Sequence, residues 1–265
     1  MRSPTTWRAS KYVIAHGRLR PSRDAGALAP SSRLIARLLT DRYQPALATH
    51  ARGRLLDLGC GTVPFYAAYR DQVDDNICVD WPSSLHRNMH IDVFCDVSRT
   101  LPFADATFDT ILSSDVIEHL PDPVLAFREM ARLLRPGGKV ILNTPFLYML
   151  HEVPHDYYRH TRYSLERLAA IAGLRVVQLE EIGGLPEVLA DMLGKGIGTL
   201  PLLGGPLAIF LQATAIALGK TSVWARLRRM SRDRFPLGYF LVAAKPGLGH
   251  DDDDRLRDAR DAVIA

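Results

Sequence analysis

The chain has 265 residues, of which 47% are hydrophobic and 23% are charged, so it can bury a full core and is not a disordered protein. Its formal net charge is only +4, which gives little support to a general role in nucleic-acid binding. We therefore expect a globular protein, of one domain with an elaboration or of two small domains, and no nucleic-acid partner.

The cysteines and the two ends of the chain bear on its location. Cys60, Cys78 and Cys95 show neither the paired spacing of metal ligands nor the density of secreted disulfides, which favours a reducing cytoplasm. The basic stretch at 1–30 contains no apolar segment of signal-peptide length. We predict that this stretch and the acidic, charged stretch at 247–265 are solvated tails.

From residue 31 onward, short apolar runs alternate with amphipathic ones, which is typical of a mostly parallel sheet covered by helices. Ser31 and Ser32 can cap the first helix, and Pro45 is expected to kink or end it. The predicted helices are 33–48, 63–69, 123–134 and 164–172. The predicted strands are 54–58, 76–80, 91–95, 108–113, 139–144, 174–181 and 237–244.

Two further signals mark helix ends in the second half of the chain. The run PGG at 136–138 suits a helix stop followed by a tight turn. Ser164 can cap the helix at 164–172, and Gly173 can stop it before the next strand.

A long segment at 183–235 separates the last two predicted strands, whereas connections usually have about 2–6 residues. Its central part, 196–219, contains no charged residue and is long enough for a bilayer, which needs about twenty apolar residues. Both ends of the segment must return to the same sheet, which argues against a single crossing. We therefore predict a helical hairpin with arms near 186–195 and 207–230.

The second arm of this insertion begins with apolar residues and ends with Trp224 and arginines. This order suits an element that meets anionic lipid headgroups, or a lid over a lipid-linked acceptor. A homodimer contact through 196–234, or an ordinary buried helical cap, explains the pattern equally well. The expected location is cytoplasmic, either free or peripheral at the inner face of the membrane. The arginines are Arg226, Arg228, Arg229, Arg232 and Arg234.

The sequence DLGCG at 57–61 follows an apolar strand and precedes a predicted helix, which is the setting of a nucleotide-binding turn. Gly59 and Gly61 let the backbone turn sharply and approach a ligand closely. The dinucleotide fingerprint would place a third glycine where the chain has Pro64. Asp57 would repel a pyrophosphate but would favour a ligand with an ammonium and a sulfonium. S-adenosylmethionine carries both cations and no phosphate.

Acidic residues after the next two strands extend the predicted cofactor site. Asp80 ends a strand about twenty residues downstream, where a carboxylate can accept both ribose hydroxyls. Trp81 can stack beside the adenine, although Trp-Pro can equally form a packing corner. Asp96 can accept from the adenine amino group, or it can serve as a turn residue at a strand end.

Further segments follow in a recognisable order: LLDLGCGT at 55–62, CVDW at 78–81, Asp96, LPFADATFDTILSSDVIEHLPDP at 101–123 and LLRPGGKVILNTP at 133–145. With these segments the chain resembles the class I (Rossmann-like) S-adenosylmethionine-dependent methyltransferases of the small-molecule type. The resemblance implies an α/β fold: a seven-stranded, mostly parallel sheet with an antiparallel last strand and helices on both faces. The core would comprise 31–182 and 236–246, and a helical insertion, 183–235, would lie between the last two strands.

The resemblance also implies S-adenosylmethionine as the cofactor, lying across the carboxyl ends of the strands. The implied cofactor contacts are Asp57, Gly59, Gly61, Asp80 and Asp96, with Ser114 or Asp115 lining the pocket. The block PFLYMLHEVPHDYYRHTRYSLERL at 145–168 is similar to methyltransferases often associated with glycan or cell-envelope biosynthesis.

Methyl transfer from a sulfonium is an in-line displacement, and a base must remove the proton if the acceptor is a hydroxyl. In the polar and aromatic loop after the fifth strand, His155 is the first candidate for the base, with Asp156 as its partner. His119 is the second candidate. Any of these side chains can instead cap a helix or seal the cofactor lid. The predicted acceptor-binding residues are His151, Tyr157, Tyr158 and Tyr163.

Two groups of residues raise the question of a metal ion. Glu118 and His119 could share a divalent ion, and His151, His155 and His160 could form another site. Neither group has the tight spacing of a known metal signature. We expect no metal.

The leading hypothesis is an enzyme that methylates an oxygen of a small-molecule or glycan-like acceptor, which could be lipid-linked. N-methylation of a small molecule is one alternative. A nicotinamide-dependent oxidoreductase is a second, and Pro64 and Asp57 beside the glycines disfavour it. A non-catalytic cofactor-binding partner subunit is a third, and the polar loop at 151–163 argues against it.

Overall fold

The computed structural model describes residues 1–82 and 89–247, so the acidic run of the predicted tail at 247–265 lies outside the described residues. The strands are β1 (Tyr12–Ala15), β2 (Arg18–Pro21), β3 (Arg54–Leu58), β4 (Asp75–Asp80), β5 (Val93–Phe94), β6 (Phe108–Ser114), β7 (Leu134–Pro145), β8 (Arg175–Ile182) and β9 (Gly238–Ala244). The α-helices are α1 (Arg33–His50), α2 (Tyr66–Tyr69), α3 (Pro123–Leu133), α4 (Arg162–Ile171), α5 (Leu185–Gly198), α6 (Gly204–Leu218) and α7 (Ser222–Ser231).

Among the described residues, seven strands form one sheet in the order β5, β4, β3, β6, β7, β9, β8. β9 is antiparallel to both of its neighbours, and the other neighbouring strands are parallel. The predicted seven-stranded, mostly parallel sheet with an antiparallel last strand is therefore confirmed. The strands are visible in the sequence because central strands covered on both sides are almost wholly apolar, and every residue of β9 is buried.

Helices cover both faces of this sheet. On one face, Tyr43 of α1 belongs to the same buried cluster as Leu55 of β3. On the other face, Phe127 of α3 and Leu165 of α4 belong to a cluster with Val140 of β7. Fully burying a side chain of this kind is worth about 1.5–3 kcal/mol, so apolar contact is the main force that holds the helices on the sheet.

The first helix begins and ends differently from its prediction. Ser32 occupies its N-cap position but makes no side-chain capping bond, and the N–H of Leu34 instead donates to Oε1 of Gln212 in α6, at 2.7 Å. The helix also continues through Pro45 to His50. A distant glutamine therefore satisfies a free N–H that a local serine was expected to satisfy.

Helix α2 is shorter than the predicted helix at 63–69, because Val63 has a positive φ of 53° and Pro64 has no backbone N–H to donate. Helix α4 begins two residues before Ser164, and its cap is Thr161, whose Oγ1 accepts from the N–H of Ser164 at 3.2 Å. Both differences concern the residue at which a helix begins, which depends on the local conformation of the chain.

The predicted helix stop at 136–138 lies inside a strand instead. α3 ends at Leu133, and β7 begins with the next residue. Gly137 has a φ of 79°, and the pairing between β6 and β7 shifts register in this stretch. The glycines therefore form a bulge at the start of β7 rather than a turn after a helix.

The segment predicted as a basic tail, 1–30, packs against the core. β1 and β2 form an antiparallel hairpin, and Tyr12 and Leu19 are only 1% and 2% exposed. The N–H of Leu19 donates to Oε1 of Gln44 in α1, at 3.0 Å. The arginines of β2 are exposed on the outer side of this hairpin, which explains why charge alone suggested a tail.

The insertion, all of which lies in the described part of the chain, consists of three helices rather than a two-armed hairpin. α5 corresponds to the first predicted arm, and the second arm at 207–230 is divided into α6 and α7, which are bent by 92°. Thr221 marks the division, because its Oγ1 accepts from the N–H of Trp224 at 3.3 Å and caps α7.

The buried carboxylate of Glu187 holds α7 on α5. Its Oε1 accepts from Nε1 of Trp224 at 2.6 Å and from Nε of Arg228 at 2.5 Å. These two side chains therefore bind within the protein, although the sequence pattern suggests an interfacial role for them. No single helix of the described residues is long and apolar enough to cross a membrane; α6 and α7 meet that test only together, as a bent pair.

Candidate active site

The candidate site lies at the carboxyl ends of β3, β4, β6 and β7. The chain leaves β3 toward β4 on one side and later returns to β6 on the other side, so the direction of strand order reverses between β3 and β6. In open α/β sheets such a reversal leaves a crevice for a ligand at the carboxyl edge. The residues that follow these strands therefore meet at one edge of the sheet.

The glycine turn after β3 requires glycine. Gly59 and Gly61 have φ values of 69° and 49°, a region that glycine enters without a steric penalty. A Cβ on Gly59 would lie 2.5 Å from Cγ2 of Val116. The N–H groups of Gly59 and Cys60 both donate to the carbonyl of Val79, at 2.9 and 3.0 Å, which ties the turn to β4.

Asp57, in β3 just before this turn, is only 5% exposed. Its Oδ2 accepts a hydrogen bond from the hydroxyl of Tyr69 at 3.0 Å. Burial raises the pKa of Asp57 to about 7; the bond from Tyr69 opposes this shift, and the negative charge of Asp80 adds to it. A cation bound nearby would restore the ionised form.

Asp80, at the end of β4, is also buried, and backbone groups fix its orientation. Its Oδ2 accepts from the N–H of Gly61 at 2.9 Å, and its Oδ1 accepts from the N–H of Trp81 at 2.8 Å. Asp57 and Asp80 thus place two mutually repelling carboxylates at the ends of neighbouring strands. This acidic pocket suits a cationic ligand such as S-adenosylmethionine and disfavours a pyrophosphate.

Asp96, a predicted adenine contact, is a turn residue in the structure. Its Oδ1 accepts from the N–H and the hydroxyl of Ser98, at 2.9 and 2.6 Å, and its Oδ2 accepts from Nε of Arg99 at 3.0 Å. The hydrogen bond from the Ser98 hydroxyl lowers the pKa of Asp96 most, although partial burial opposes the shift. The carboxylate therefore stabilises its own turn, and its contact with the adenine stays a prediction.

Ser114 and Asp115, at the end of β6, both bind Asn143 of β7. Oδ1 of Asn143 accepts from Oγ of Ser114 at 2.8 Å and from the hydroxyl of Tyr43 at 2.6 Å. Its Nδ2 donates to Oδ1 of Asp115 at 2.5 Å, and Asp115 has a positive φ of 53°. The sequence analysis does not single out Asn143 or Tyr43; a lone polar residue near the end of an apolar strand was the available signal.

The N-terminal segment also reaches this edge of the sheet. Nε1 of Trp7 donates to the carbonyl of Val63 at 3.2 Å, and Oγ of Ser10 lies 3.0 Å from Oγ1 of Thr62. The buried hydroxyl of Tyr12 has no hydrogen-bond partner within the described ranges. The segment therefore braces the glycine turn, and its aromatic residues were the signal that it is not a tail.

His155, the first candidate for the base, lies beside the predicted cofactor residue Trp81. The two rings meet edge to face, with centroids 4.9 Å apart. Nδ1 of His155 is 3.0 Å from the hydroxyl of Tyr157. The loop after β7 therefore folds back onto the cofactor side of the site, as its predicted role requires.

Asp156 is not the partner of His155, and this part of the prediction is wrong. Its two oxygens accept from Arg159 at 2.6 and 2.7 Å, and its Oδ2 also accepts from the backbone N–H of His151 at 2.9 Å. The hydrogen bonds from Arg159 hold the pKa of Asp156 well below its usual range. Asp156 therefore orders the loop, together with an arginine that the sequence analysis does not single out.

Glu118, His119 and His151 come together from two different loops. Oε1 of Glu118 lies 3.7 Å from Nε2 of His119 and 3.7 Å from Nε2 of His151. Burial raises the pKa of Glu118. Burial acts most strongly and would lower the pKa of His151, but the nearby carboxylates of Glu118, Asp156 and Asp115 together outweigh burial and raise that pKa. One ligand atom from each side chain lies within 4.8 Å of the others, close enough for all three to hold one metal ion.

The aromatic residues of the loop divide into two groups. The N–H groups of Tyr157 and Tyr158 donate to the carbonyl of Glu118 at 3.0 and 3.1 Å, and both rings are exposed beside the cluster. Tyr163 lies in the first turn of α4 with an exposed side chain. His160 is buried and stacks on Tyr158 with centroids 5.4 Å apart, so it serves packing.

Comparison with known proteins finds a family that is similar to the part of the chain at this edge of the sheet. Residues 56–142 match the protein family described as a methyltransferase domain. A chain from the complex between the Haloferax volcanii Trm112 methyltransferase activator and a methyltransferase shares the fold, with a TM-score of 0.52 and 20% identity over 84% of this chain and 96% of that chain.

Curated relatives are similar over part of their length. An uncharacterized methyltransferase of Mycobacterium sp. (strain KMS) is 38% identical over 129 residues, which cover 46% of this chain and 50% of that protein. A ubiquinone biosynthesis O-methyltransferase of Parvibaculum lavamentivorans is 32% identical over 100 residues, which cover 34% of this chain and 40% of that protein. The chain thus spans at most about half the length of these relatives.

The matched range is similar to a methyltransferase domain, and the acidic pocket described above fits S-adenosylmethionine as the cofactor. The range contains every predicted cofactor residue together with Glu118 and His119, but it ends before the loop that carries His151 and His155. The acceptor side of the site includes a loop that lies outside the matched range, and it is interpreted below from its geometry.

Proposed function

We propose that the protein is an S-adenosylmethionine-dependent methyltransferase that methylates an oxygen of a small-molecule or glycan-like acceptor. The observation that carries the proposal is the contact between Trp81 and His155, because it joins the predicted cofactor residues to a loop rich in histidine and tyrosine. An imidazole at this position can accept the proton of an acceptor hydroxyl.

The acidic part of the site would hold the cofactor. When bound, S-adenosylmethionine supplies an electrophilic methyl group on a positively charged sulfur. The carboxylates of Asp57 and Asp80 favour a ligand of that charge, and the glycine turn lets the backbone approach it closely. These groups are held by hydrogen bonds before any ligand arrives, so alignment can supply much of the rate.

His155 would act as the general base. The contact between its Nδ1 and the hydroxyl of Tyr157 orients the ring, which leaves Nε2 as the second proton site. A bound cofactor would supply its methyl carbon to the acceptor oxygen and keep the electron pair of the broken carbon–sulfur bond on sulfur. The proton of the acceptor hydroxyl goes to His155.

An oxygen acceptor is supported by the presence of this base and by a relative that is named an O-methyltransferase. A neutral amine is itself a nucleophile and can attack before it loses a proton. The alternative of N-methylation therefore predicts that loss of His155 has little effect on turnover. Unchanged turnover would leave either an amine acceptor or His119 as the base, and the acceptor screen described below separates these two outcomes.

A glycan-like acceptor is supported by the aromatic residues near the base. Tyr157 and Tyr158 expose rings that combine an apolar face with a hydroxyl, which suits an acceptor that has apolar faces and several hydroxyl groups. The likeness of 145–168 to methyltransferases associated with glycan or cell-envelope biosynthesis supports the same class.

The test is a methyl-transfer screen with labelled S-adenosylmethionine over sugars, phenols, carboxylates and amines. We expect label in a hydroxyl compound, and transfer confined to amines would overturn the choice of oxygen. If no compound accepts label although the cofactor binds, a non-catalytic partner subunit becomes the better account. Tight NAD binding without a response to S-adenosylmethionine would instead favour an oxidoreductase.

A further inference from the structure

We propose that Glu118, His119 and His151 form a binding site for one divalent transition-metal ion of the zinc type, on the acceptor side of the site. The set offers one carboxylate oxygen and two imidazole nitrogens. Nitrogen and oxygen ligands of this kind bind Zn²⁺ and Co²⁺, and three protein ligands leave a position open for a water or a substrate oxygen.

The distances within the set are close to those that a metal ion requires. Oε1 of Glu118 is 3.7 Å from Nε2 of both His119 and His151. Tetrahedral ligands at about 2.0–2.2 Å from zinc lie about 3.3–3.6 Å from one another. A contraction of a few tenths of an ångström would therefore bring Oε1 of Glu118 and each imidazole to that spacing, and the ligand atoms of the two histidines lie within 4.8 Å of each other.

The carboxylate of Glu118 provides an independent observation that points to a ligand between these three side chains. The residue is 0% exposed, and its Oε1 has no hydrogen-bond partner in the part of the chain that the structure describes. Its other oxygen accepts from Oγ1 of Thr144 at 3.3 Å, which fixes the carboxylate. A buried carboxylate oxygen needs a partner, and this one faces the two imidazoles.

The outer nitrogen of His119 is held in the way that metal-bound histidines are usually held, and that of His151 lies near a carboxylate without a hydrogen bond to it. Nδ1 of His119 lies 2.8 Å from the carbonyl of His155, which can only accept, so Nδ1 carries the proton and Nε2 has the free lone pair. Nδ1 of His151 lies 3.4 Å from Oδ2 of Asp156. A carbonyl partner such as that of His119 orients a metal ligand and fixes its tautomer.

The site is accessible to an ion from solvent, because the side chains of His119 and His151 are 16% and 22% exposed. The sequence conceals the set, since its members belong to loops that follow two different strands. The sequence-based expectation of no metal weighed Glu118 with His119, and His151 with His155 and His160, as separate groups. The fold joins ligands from both groups.

A bound ion would hold an acceptor oxygen and lower the pKa of its hydroxyl, so that His155 removes the proton more easily. This consequence rests on the proposed function. The binding itself does not, and its test needs no methyl transfer.

The test is equilibrium dialysis of the full chain against Zn²⁺ and, separately, Co²⁺, followed by metal quantification and, for Co²⁺, visible absorption. We expect about one ion per chain. Glu118→Gln, His119→Ala and His151→Ala should each lower the affinity at least tenfold. His50→Ala is the matched control, because His50 ends α1 at the opposite edge of the sheet, and it should bind metal normally.

Binding of S-adenosylmethionine to each variant serves as the check on folding, and it also separates this proposal from the proposed function. If a variant does not fold, carbethoxylation of the wild-type histidines replaces it: Zn²⁺ should protect His119 and His151 more than His155. The proposal is overturned if the wild-type chain takes up neither ion, if the ligand variants bind as tightly as His50→Ala does, or if protection is equal at the three histidines.

A different observation carries a second inference: we propose that α6 and α7 dock on a membrane surface that contains anionic lipids. Leu202, just before α6, is 97% exposed, and Phe210 in α6 is 71% exposed. α6 contains no charged residue. An apolar helix face of this kind, with cations beside it, is typical of elements that lie in the headgroup region.

The charges at this surface favour a lipid membrane over a second copy of the chain as the binding partner. Residues 196–232 contain no acidic residue, and Lys220, Arg226 and Arg229 are exposed. A two-fold dimer contact through this surface would bring the cations of both copies into one interface, with no acidic residue of the same stretch to neutralise them. Anionic headgroups would neutralise them instead, while the apolar side chains enter the interface.

The test is sedimentation of the full chain with phosphatidylglycerol vesicles and with phosphatidylcholine vesicles. We expect binding to the anionic vesicles, with affinity reduced at least tenfold by Leu207→Ser/Phe210→Ser and by Arg226→Glu/Arg229→Glu. Arg128→Glu, an exposed position on α3, is the matched control. Absence of vesicle binding, or a dimer in sedimentation velocity that Leu207→Ser/Phe210→Ser dissociates, overturns this inference.

Discussion

The imidazole of His155 meets the indole of Trp81 edge to face, with ring centroids 4.9 Å apart. Trp81 directly follows Asp80, whose carboxylate is anchored to the glycine turn through the N–H of Gly61. His155 comes from the loop after β7, more than seventy positions along the chain. One ring contact therefore connects the residues proposed to hold the cofactor with the residue proposed to take the acceptor proton.

Replacement of this base should separate catalysis from binding. We expect His155→Ala to lower kcat by about 10²–10⁴, the usual contribution of general base catalysis, while the Kd for S-adenosylmethionine changes less than about twofold. Steady-state kinetics and calorimetry measure the two quantities. His50→Ala, at the opposite edge of the sheet, should leave both unchanged. If His155→Ala keeps its turnover, His119 becomes the better candidate.

The pKa of Asp57 predicts how cofactor affinity depends on pH. Burial raises that pKa to about 7, so the carboxyl is neutral below pH 7 and charged above it. A cationic ligand needs the charged form. The affinity for S-adenosylmethionine should therefore fall by up to about tenfold per pH unit below 7 and level off above it. Titrations from about pH 5.5 to 8.5 measure this, and Asp57→Asn should give weaker binding with a flatter profile.

The same shift predicts the opposite trend for the stability of the ligand-free protein. An acid whose pKa is raised on folding stabilises the fold most at low pH, and this contribution is lost as pH rises from the ordinary value of 3.8 to about 7. We expect Asp57→Asn to melt at a higher temperature than the wild type at pH 8, where the wild type buries a charge. Equal or lower Tm for Asp57→Asn at pH 8 would contradict the assigned shift.

A pair of glycine substitutions, one in the glycine turn and one in α5, tests the role of the turn. Gly59→Ala forces a positive φ on a residue with a Cβ and places that Cβ 2.5 Å from Val116. It should destabilise the fold by about 1–3 kcal/mol and weaken cofactor binding at least tenfold. Gly196→Ala, in α5 with nothing within 4 Å of the added Cβ, should be neutral or stabilising by up to about 1 kcal/mol. Urea unfolding and calorimetry compare the two.

The N-terminal hairpin is predicted to be part of the folded core. Tyr12 is fully buried and stacks on Phe65, with centroids 4.5 Å apart. Tyr12→Ala should lower the free energy of unfolding by about 3–5 kcal/mol, as large-to-small changes in a core do. Arg20→Ala, exposed in the same hairpin, should change it by less than about 0.5 kcal/mol. A similar small effect for both variants would mean that the segment is a tail after all.

Much of the sheet can be predicted from the sequence, because strands buried on both faces appear there as short runs of apolar residues. β3 coincides with its prediction, and β9 differs by one residue. The predictions that failed depend either on local backbone conformation or on a partner far away in the sequence. Pro64 and Val63 shorten α2 through backbone conformation, whereas Gln212 caps α1 from the insertion, a partner that no local pattern reveals.

The cofactor side and the acceptor side of the candidate site also differ in how much of them the sequence predicts. Asp57 and Asp80 are predictable because each lies at the carboxyl end of a strand pattern in the sequence. The partners of the acceptor loop are not, since they depend on how one loop lies across another. Asp156 pairs with Arg159 rather than with its neighbour His155, and Glu118 reaches His151 across the fold. Histidine density marks the loop, but only the structure shows which groups meet.

The most direct test of the account is a calorimetric titration of the full chain at pH 8 with S-adenosylmethionine, its demethylated product and NAD. The account predicts about one molecule of S-adenosylmethionine bound per chain, binding of the product at the same site, and no measurable NAD binding. Asp80→Ala should weaken the first two by at least tenfold. NAD binding together with no heat from S-adenosylmethionine would contradict the assignment of this pocket to S-adenosylmethionine.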